Sequence, residues 1–207
     1  MTPASVFVHF HSARRNRALR RRLAPFAALF LGWISLCPSG TAQQSRPEEY
    51  QVKAVYLYNF GRFVLWPATP AETQGTFDVC VLGRDPFGSS LDATLAGEAI
   101  GNRKLAARRI ANPREATNCR ILFISSSEAV RIKEILAAVD SSAVLTVSDM
   151  PAFTSAGGMI QFVLKENKVR FEVNLTAAEK AGLMLSSQLL KVATDIRKEP
   201  PRTSVKP

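Results

Sequence analysis

The chain has 207 residues, 46% of them apolar, and carries 27 Lys and Arg against 17 Asp and Glu, a formal net charge of +10. Six of those basic residues, Arg14, Arg15, Arg17, Arg20, Arg21 and Arg22, lie in the first 42 positions, which hold no acid; the remaining 21 basic and 17 acidic side chains leave a net +4. That excess is too small for the electrostatic footprint of a nucleic-acid binder. Both histidines, His9 and His11, also fall in this segment, which excludes Ser-His or Cys-His catalysis and a His-ligated metal from the rest of the chain.

The arginines are followed by an apolar run, Leu23 to Leu36, and by Gly40 and Ala42 as small residues at −3 and −1. This pattern reads as a secretory signal peptide cleaved after Ala42. The run is short of the roughly twenty residues that span a bilayer; an uncleaved anchor is the alternative. Leu36 argues against lipidation at Cys37. The expected organisation is a signal peptide at 1–42, one exported domain at 43–196, long enough for a real core, and a polar, proline-bearing disordered tail at 197–207.

Ser45, Pro47, Glu48 and Glu49 mark a helix start, and the helix is expected to run to Trp66, before Pro67. It is rich in rings: Tyr50, Tyr56, Tyr58, Phe60, Phe63 and Trp66. Rings at helical spacing read first as core. The surplus makes Tyr58, Phe63 and Trp66 candidates for burial against a partner, where aromatic residues are enriched. Phe77–Leu82, F-D-V-C-V-L, is apolar but for Asp78 and reads as a buried strand. Gly83 and Gly88 imitate a P-loop frame, but Ser89 stands where the lysine belongs, so nucleotide binding is rejected. Asp85 as cap and Pro86 as first helical residue account for the segment, with a helix to Leu95.

Gly101-Asn102 is a turn, followed by an extended basic segment to Ile110. Arg120–Ile124 and Ala143–Val147 are further buried strands. Between them, Ser125 and Glu128 suggest a capping box for a helix to Val139 carrying Val130, Ile135, Leu136 and Val139. Met159–Leu164 and Val169–Val173 flank Lys165–Lys168 as a β-hairpin. In the second of these strands Val169, Phe171 and Val173 alternate with Arg170, Glu172 and Asn174, one apolar and one polar face. Thr176 with Glu179 reads as another capping box, Gly182 as the stop of that helix, and Ser186 as the cap of a second, with Leu189, Leu190, Ala193 and Ile196 on one side. The fold class is α/β: a single domain, a mixed sheet of about six strands with helices on both faces, and a C-terminal hairpin followed by two short helices.

Cys80 and Cys119 remain after the leader. In an exported chain they are expected to pair as one disulfide; two buried free thiols are the alternative. No catalytic constellation is present. There is no G-x-S-x-G, no C-x-x-C and no acid pair placed to share a proton. Asp149, at a strand end, is the nearest candidate, with a turn residue as the plainer reading. Ser125–Ser127 can cap a helix or bind an anion. The Asn174–Thr176 sequon is discounted because it sits in a strand.

Several segments together resemble the YfiR family: EYQVKAVYLYNFGRFVLWP at 49–67, VCVLGRDPFG at 79–88, CRILFIS at 119–125, VLTVSD at 144–149, and the stretch from Gly157 through the hairpin to AGLMLSSQLLK at 181–191. The resemblance covers nearly the whole expected domain in one order. It implies a periplasmic repressor, not an enzyme and without a cofactor, that binds and inhibits an inner-membrane diguanylate cyclase of the YfiN type. Cyclic di-GMP and biofilm formation fall as a result. An outer-membrane lipoprotein of the YfiB type is implied as a sequestering partner, and a homodimer as the assembly. Cys80 and Cys119 look like one cysteine pair of the family pattern; a second pair is missing here, where Thr154–Gly158 stand instead. On this reading Arg170, Glu172 and Asn174 join Tyr58, Phe63 and Trp66 as candidate partner contacts. The other reading is a periplasmic small-molecule binder feeding a sensor kinase, because the strand ends at Gly83, Ser125 and Asp149 lie where α/β sheets commonly take ligands.

Overall fold

The computed structural model describes residues 46–67, 75–140 and 142–198. The expected signal peptide, the helix cap at Ser45 and the tail beyond Lys198 lie outside them. The apolar runs form the centre of the molecule. Strand β2 (Phe77–Leu82) and strand β5 (Ile121–Ile124) are buried at every position, as a strand covered by helices on both faces must be. The other main strands are β4 (Arg103–Ile110), β6 (Leu145–Ser148), β7 (Ile160–Lys165) and β8 (Lys168–Asn174). Two short strands extend the edges, β3 (Ala99–Ile100) and β10 (Asp195–Arg197), giving an eight-stranded sheet of order β10-β8-β7-β6-β5-β2-β4-β3. The run from β4 to β7 is parallel, and β7–β8 and β3–β4 are antiparallel.

The six expected strands are therefore all present. The additions are pieces of two or three residues, including a separate ribbon of β1 (Val64–Leu65) paired with β9 (Met184–Leu185). The ribbon ends helix α1 (Arg46–Phe63) three residues before the expected Trp66. Strand β10 runs parallel to β8 through Arg197, so ordered structure enters the segment read as tail.

Alternation along the central strands separates two cores. Phe77, Val79, Val81, Phe123, Leu145 and Val147 face α1, helix α2 (Ser89–Leu95) and helix α5 (Ser187–Val192). Cys80, Leu82, Leu122 and Ile124 face helix α3 (Ile132–Val139) and the 3-10 turn Pro113–Asn118. The larger core is aromatic: Phe60 packs on Phe162 at 5.8 Å and Phe171 at 5.1 Å, and Tyr56 reaches both rings. The smaller core contains the Cys80–Cys119 disulfide, with Cα atoms 6.0 Å apart. The expected pairing is thus present.

Local chemistry departs from the sequence reading at four points. Asp85 caps no helix: it accepts the Phe87 N–H in a turn, and α2 starts only at Ser89. Ser125 forms no capping box, because Glu128 is engaged by Arg131 and Ser127, and the segment is a 3-10 turn, Ser126–Arg131, leading into α3. Val130, read as carried by that helix, lies on the turn instead and is 99% exposed. Helix α4 (Leu175–Lys180) is capped by Asn174, whose side chain accepts from Ala177 N–H, so the Thr176 box does not form.

Other expectations hold. Gly182, at φ 75°, ends α4 with bonds from Gly182 N–H to Glu179 and from Leu183 N–H to Ala178, the left-handed stop that glycine adopts without a Cβ clash. Ser186 caps α5 through Leu189 N–H. The β7–β8 hairpin closes on Glu166 and Asn167, both at positive φ, as a two-residue turn matching sheet twist requires.

Candidate functional site

The parallel strands β4, β2, β5 and β6 follow sequence order 2-1-3-4. The chain leaves β2 toward one side of the sheet and β5 toward the other. Ligands of open α/β sheets bind at such a reversal, outside the carboxyl ends of the strands. Here those ends carry Gly83–Asp85 after β2, Ser125–Ser127 after β5 and Asp149 after β6. The first turns of α1 lie over them.

The two loops nearest the reversal fit closely. Arg84 N–H donates to Ser127 Oγ at 2.9 Å. A Cβ on Gly83, which sits at φ +90°, would lie 2.5 Å from that same oxygen. Glycine is required there both by conformation and by space. A cleft of about 810 Å³ opens beside them, lined by Arg84, Phe87, Ser89, Ser125, Ser126 and Tyr50 among others.

A second cleft, of about 580 Å³, continues from Tyr50 and Ser126 past Asp149 to Gln161, Phe162 and Asn167. Its floor is an ion-pair cluster that the sequence reading missed. Lys53, on α1, has a side chain only 3% exposed; its Nζ lies 2.5 Å from Glu49 Oε1 and 2.6 Å from Asp149 Oδ2. Tyr50 Oη donates to the same Asp149 oxygen at 2.7 Å. The ammonium also lies 4.2 Å from the centre of the Tyr50 ring and 5.9 Å from that of Phe162. Burying an ammonium is costly unless charges and hydrogen bonds compensate it, and all of these partners do so. Asp149 is thus more than a turn residue: it ties the end of β6 to α1. The signal was present in the spacing, since Glu49, Lys53 and Leu57 fall on one stripe of α1 and Leu57 is buried.

A further polar network borders the first cleft. Arg109 on β4 contacts Asp85 at 2.8 Å and holds both oxygens of Asp92, at 2.8 and 2.6 Å. The hydrogen bond from Arg109 keeps the Asp92 carboxyl below the ordinary carboxylate range, and the same bond raises Arg109.

The six candidate partner residues are not brought together. Tyr58, Phe63 and Trp66 are half-buried and pack against the larger core. Tyr58 Oη donates to Glu98 at 2.6 Å, and this bond raises its pKa. Trp66 meets Phe77 edge-on at 5.2 Å, and its buried indole N–H has no acceptor among the described residues. Arg170 and Glu172 lie on the opposite side of the sheet and are half-buried. Asn174, read as part of that accessible polar face, is 6% exposed; its amide donates to Thr154 C=O at 2.9 Å and its oxygen caps α4. It holds two segments together and presents nothing to a partner.

Among the described residues no group of three His, Cys, Asp or Glu is placed to hold a metal ion, and no helix is long and apolar enough to cross a membrane. The sequence matches the YfiR/HmsC-like family over residues 50–194. Among solved structures, a conserved domain protein from Vibrio cholerae O1 biovar El Tor strain N16961 is similar at a TM-score of 0.50 and 11% identity, over 70% of this chain and 60% of that one. The ABC domain in complex with L-Trp from Streptococcus pneumonia is similar at 0.48 and 11% identity, over 72% and 60%. The chain spans about 60% of the length of these structures, and at such identity the first likeness is one of fold.

Proposed function

Because the chain belongs to the YfiR/HmsC-like family, we propose that it is a periplasmic regulatory protein that binds and inhibits an inner-membrane diguanylate cyclase through that enzyme's periplasmic sensory domain, lowering cyclic di-GMP and biofilm formation. The observation that carries this reading is the family match, which spans the domain from α1 to the residue before β10. An exported destination agrees with the basic, apolar and small-residue order of the first 42 residues and with a disulfide across the smaller core. A binding role rather than catalysis agrees with the absence of histidine after position 11.

On this reading the half-buried Arg170 and Glu172 and the exposed margins of Tyr58, Phe63 and Trp66 are candidate contact points. Asn174 is withdrawn from that set. A YfiB-like outer-membrane lipoprotein as sequestering partner and a homodimer as the working assembly belong to the same proposal. Affinity capture from membranes of the producing bacterium tests it. The expected result is recovery of a membrane protein with a diguanylate cyclase domain; recovery of no such protein under conditions that preserve membrane complexes contradicts the proposal.

The paired clefts at the strand reversal favour a second reading, in which the domain takes a small molecule and passes its presence to a membrane sensor. The two readings are compatible if the ligand tunes partner binding. A saturable thermal shift in a metabolite screen, absent from a variant altered in the cleft, supports the second.

A further inference from the structure

We propose that the cleft over β5, β6 and β7 binds an organic ammonium group between the unused carboxylate oxygens of Glu49 and Asp149, against the ring of Tyr50. The inference rests on the small-molecule reading and gives that site its ligand chemistry.

The floor of the cleft carries two carboxylates and one ammonium, a formal charge of −1. Lys53 occupies Glu49 Oε1 and Asp149 Oδ2, and Tyr50 donates to the latter as well. Glu49 Oε2 and Asp149 Oδ1 accept no hydrogen bond from the described residues. Yet the two side chains are only 15% and 13% exposed. Poorly hydrated carboxylates with idle acceptors favour a second cation, since low local dielectric strengthens a charge-assisted bond. The pair's spacing already suits an ammonium, because Lys53 spans it. A second cation on the cleft side would neutralise the cluster without displacing Lys53.

The same geometry selects against other ligand classes. An anion would meet carboxylates first, because the Lys53 ammonium lies beneath them. Calcium takes six to eight oxygen ligands, and among the described residues no third acid joins the cluster. Tyr50, which lines the cleft, supplies ring surface of the kind that attracts organic cations; Phe162 is buried behind it in the aromatic core. A volume of about 580 Å³ accommodates a small molecule.

The test is calorimetry on the full domain with three probes that share a ring and differ in charge: 2-phenylethylamine, 2-phenylethanol and 3-phenylpropanoate. Nα-acetyl-lysine methylamide is a fourth probe, standing for a lysine presented by a partner protein. Saturable binding of 2-phenylethylamine, at least tenfold tighter than of the alcohol and the acid, is expected. Glu49→Gln and Asp149→Asn should each weaken it by tenfold or more, with circular dichroism unchanged. Because Asp149→Asn also touches the α1 contact, the more exposed Glu49→Gln decides if the former misfolds. Binding of the lysine probe without the free amine keeps the ammonium site and assigns it to a protein ligand. Tight binding of the alcohol or the acid overturns the ammonium assignment while the small-molecule reading stands. If no probe binds, and a metabolite screen gives no shift, both fall.

Discussion

The two faces of the sheet are held by different means. Among the described residues, 24 buried apolar side chains on the α1 face form one cluster with aromatic rings at its centre. On the α3 face the cluster has 12, and a disulfide joins the middle of β2 to the chain just before β5. The same strands serve both, so the difference lies in what covers them. A long helix supplies rings on one side, and two short helices add leucines. On the other, α3 has eight residues and the rest is 3-10 turn and loop. Little apolar surface can be buried there, and a covalent link takes over part of the task.

Removing a ring from the larger core should cost most. Phe60 is fully buried among Phe162, Phe171 and Tyr56, so Phe60→Ala is expected to destabilise by about 3–5 kcal/mol, measured by urea unfolding. Val130→Ala, at 99% exposure, should change stability by less than about 0.5 kcal/mol. On the smaller face, replacing Cys80 and Cys119 together by Ala should cost about 2–4 kcal/mol. Because both are buried, at 0% and 2% exposure, the native protein should also resist dithiothreitol until it is unfolded, as thiol titration with and without urea would show. Rapid reduction of the folded protein would mean that the smaller face opens far more readily than its packing implies.

The edge of that face gives a finer contrast. Asn174→Ala removes a helix cap and a buried amide bond to Thr154 and is expected to cost about 1–3 kcal/mol. Glu172→Lys, two residues earlier and half-buried, should leave the unfolding midpoint nearly unchanged and, under the proposed function, weaken inhibition of the cyclase. If Glu172→Lys lowers stability as much as Asn174→Ala, then Glu172 belongs to the fold and not to a contact surface.

The smallest expected effect is electrostatic. The carboxyl of Asp92 titrates lower in the folded chain than its ordinary value because Arg109 donates to it. Its contribution is therefore full above the unfolded value, near 3.9, and is lost as pH falls through the lower folded value. Asp92 is 54% exposed, so solvent and salt weaken the pair. Asp92→Asn should slightly flatten the acid limb of the stability profile and leave neutral pH almost untouched.

What the sequence revealed follows the range of the interactions. Phe77–Leu82 was legible to the residue because a parallel strand buried on both faces is apolar nearly throughout; its one acid, Asp78, is paired by Arg108. The hairpin turn, the Gly182 stop and the Ser186 cap were legible because each is decided within six residues. The β1–β9 ribbon and β10 were not, since strands of two or three residues exist only by virtue of partners over twenty positions away. Asn174 was misread because alternation assigns a face but cannot show that the strand end is covered by the turn at Thr154. Lys53 was missed for a related reason. A lysine in a ring-rich helix reads as solvated until a carboxylate from β6, 96 positions on, is placed beside it.

The direct test of the regulatory account is intracellular cyclic di-GMP, measured by mass spectrometry in the producing bacterium with the gene deleted and then restored with its native leader. The account predicts a rise on deletion and a return to the starting level with the wild-type protein, but a weaker return with Glu172→Lys exported at equal amount. Unchanged cyclic di-GMP on deletion, in cells where the protein is produced and exported, would contradict it.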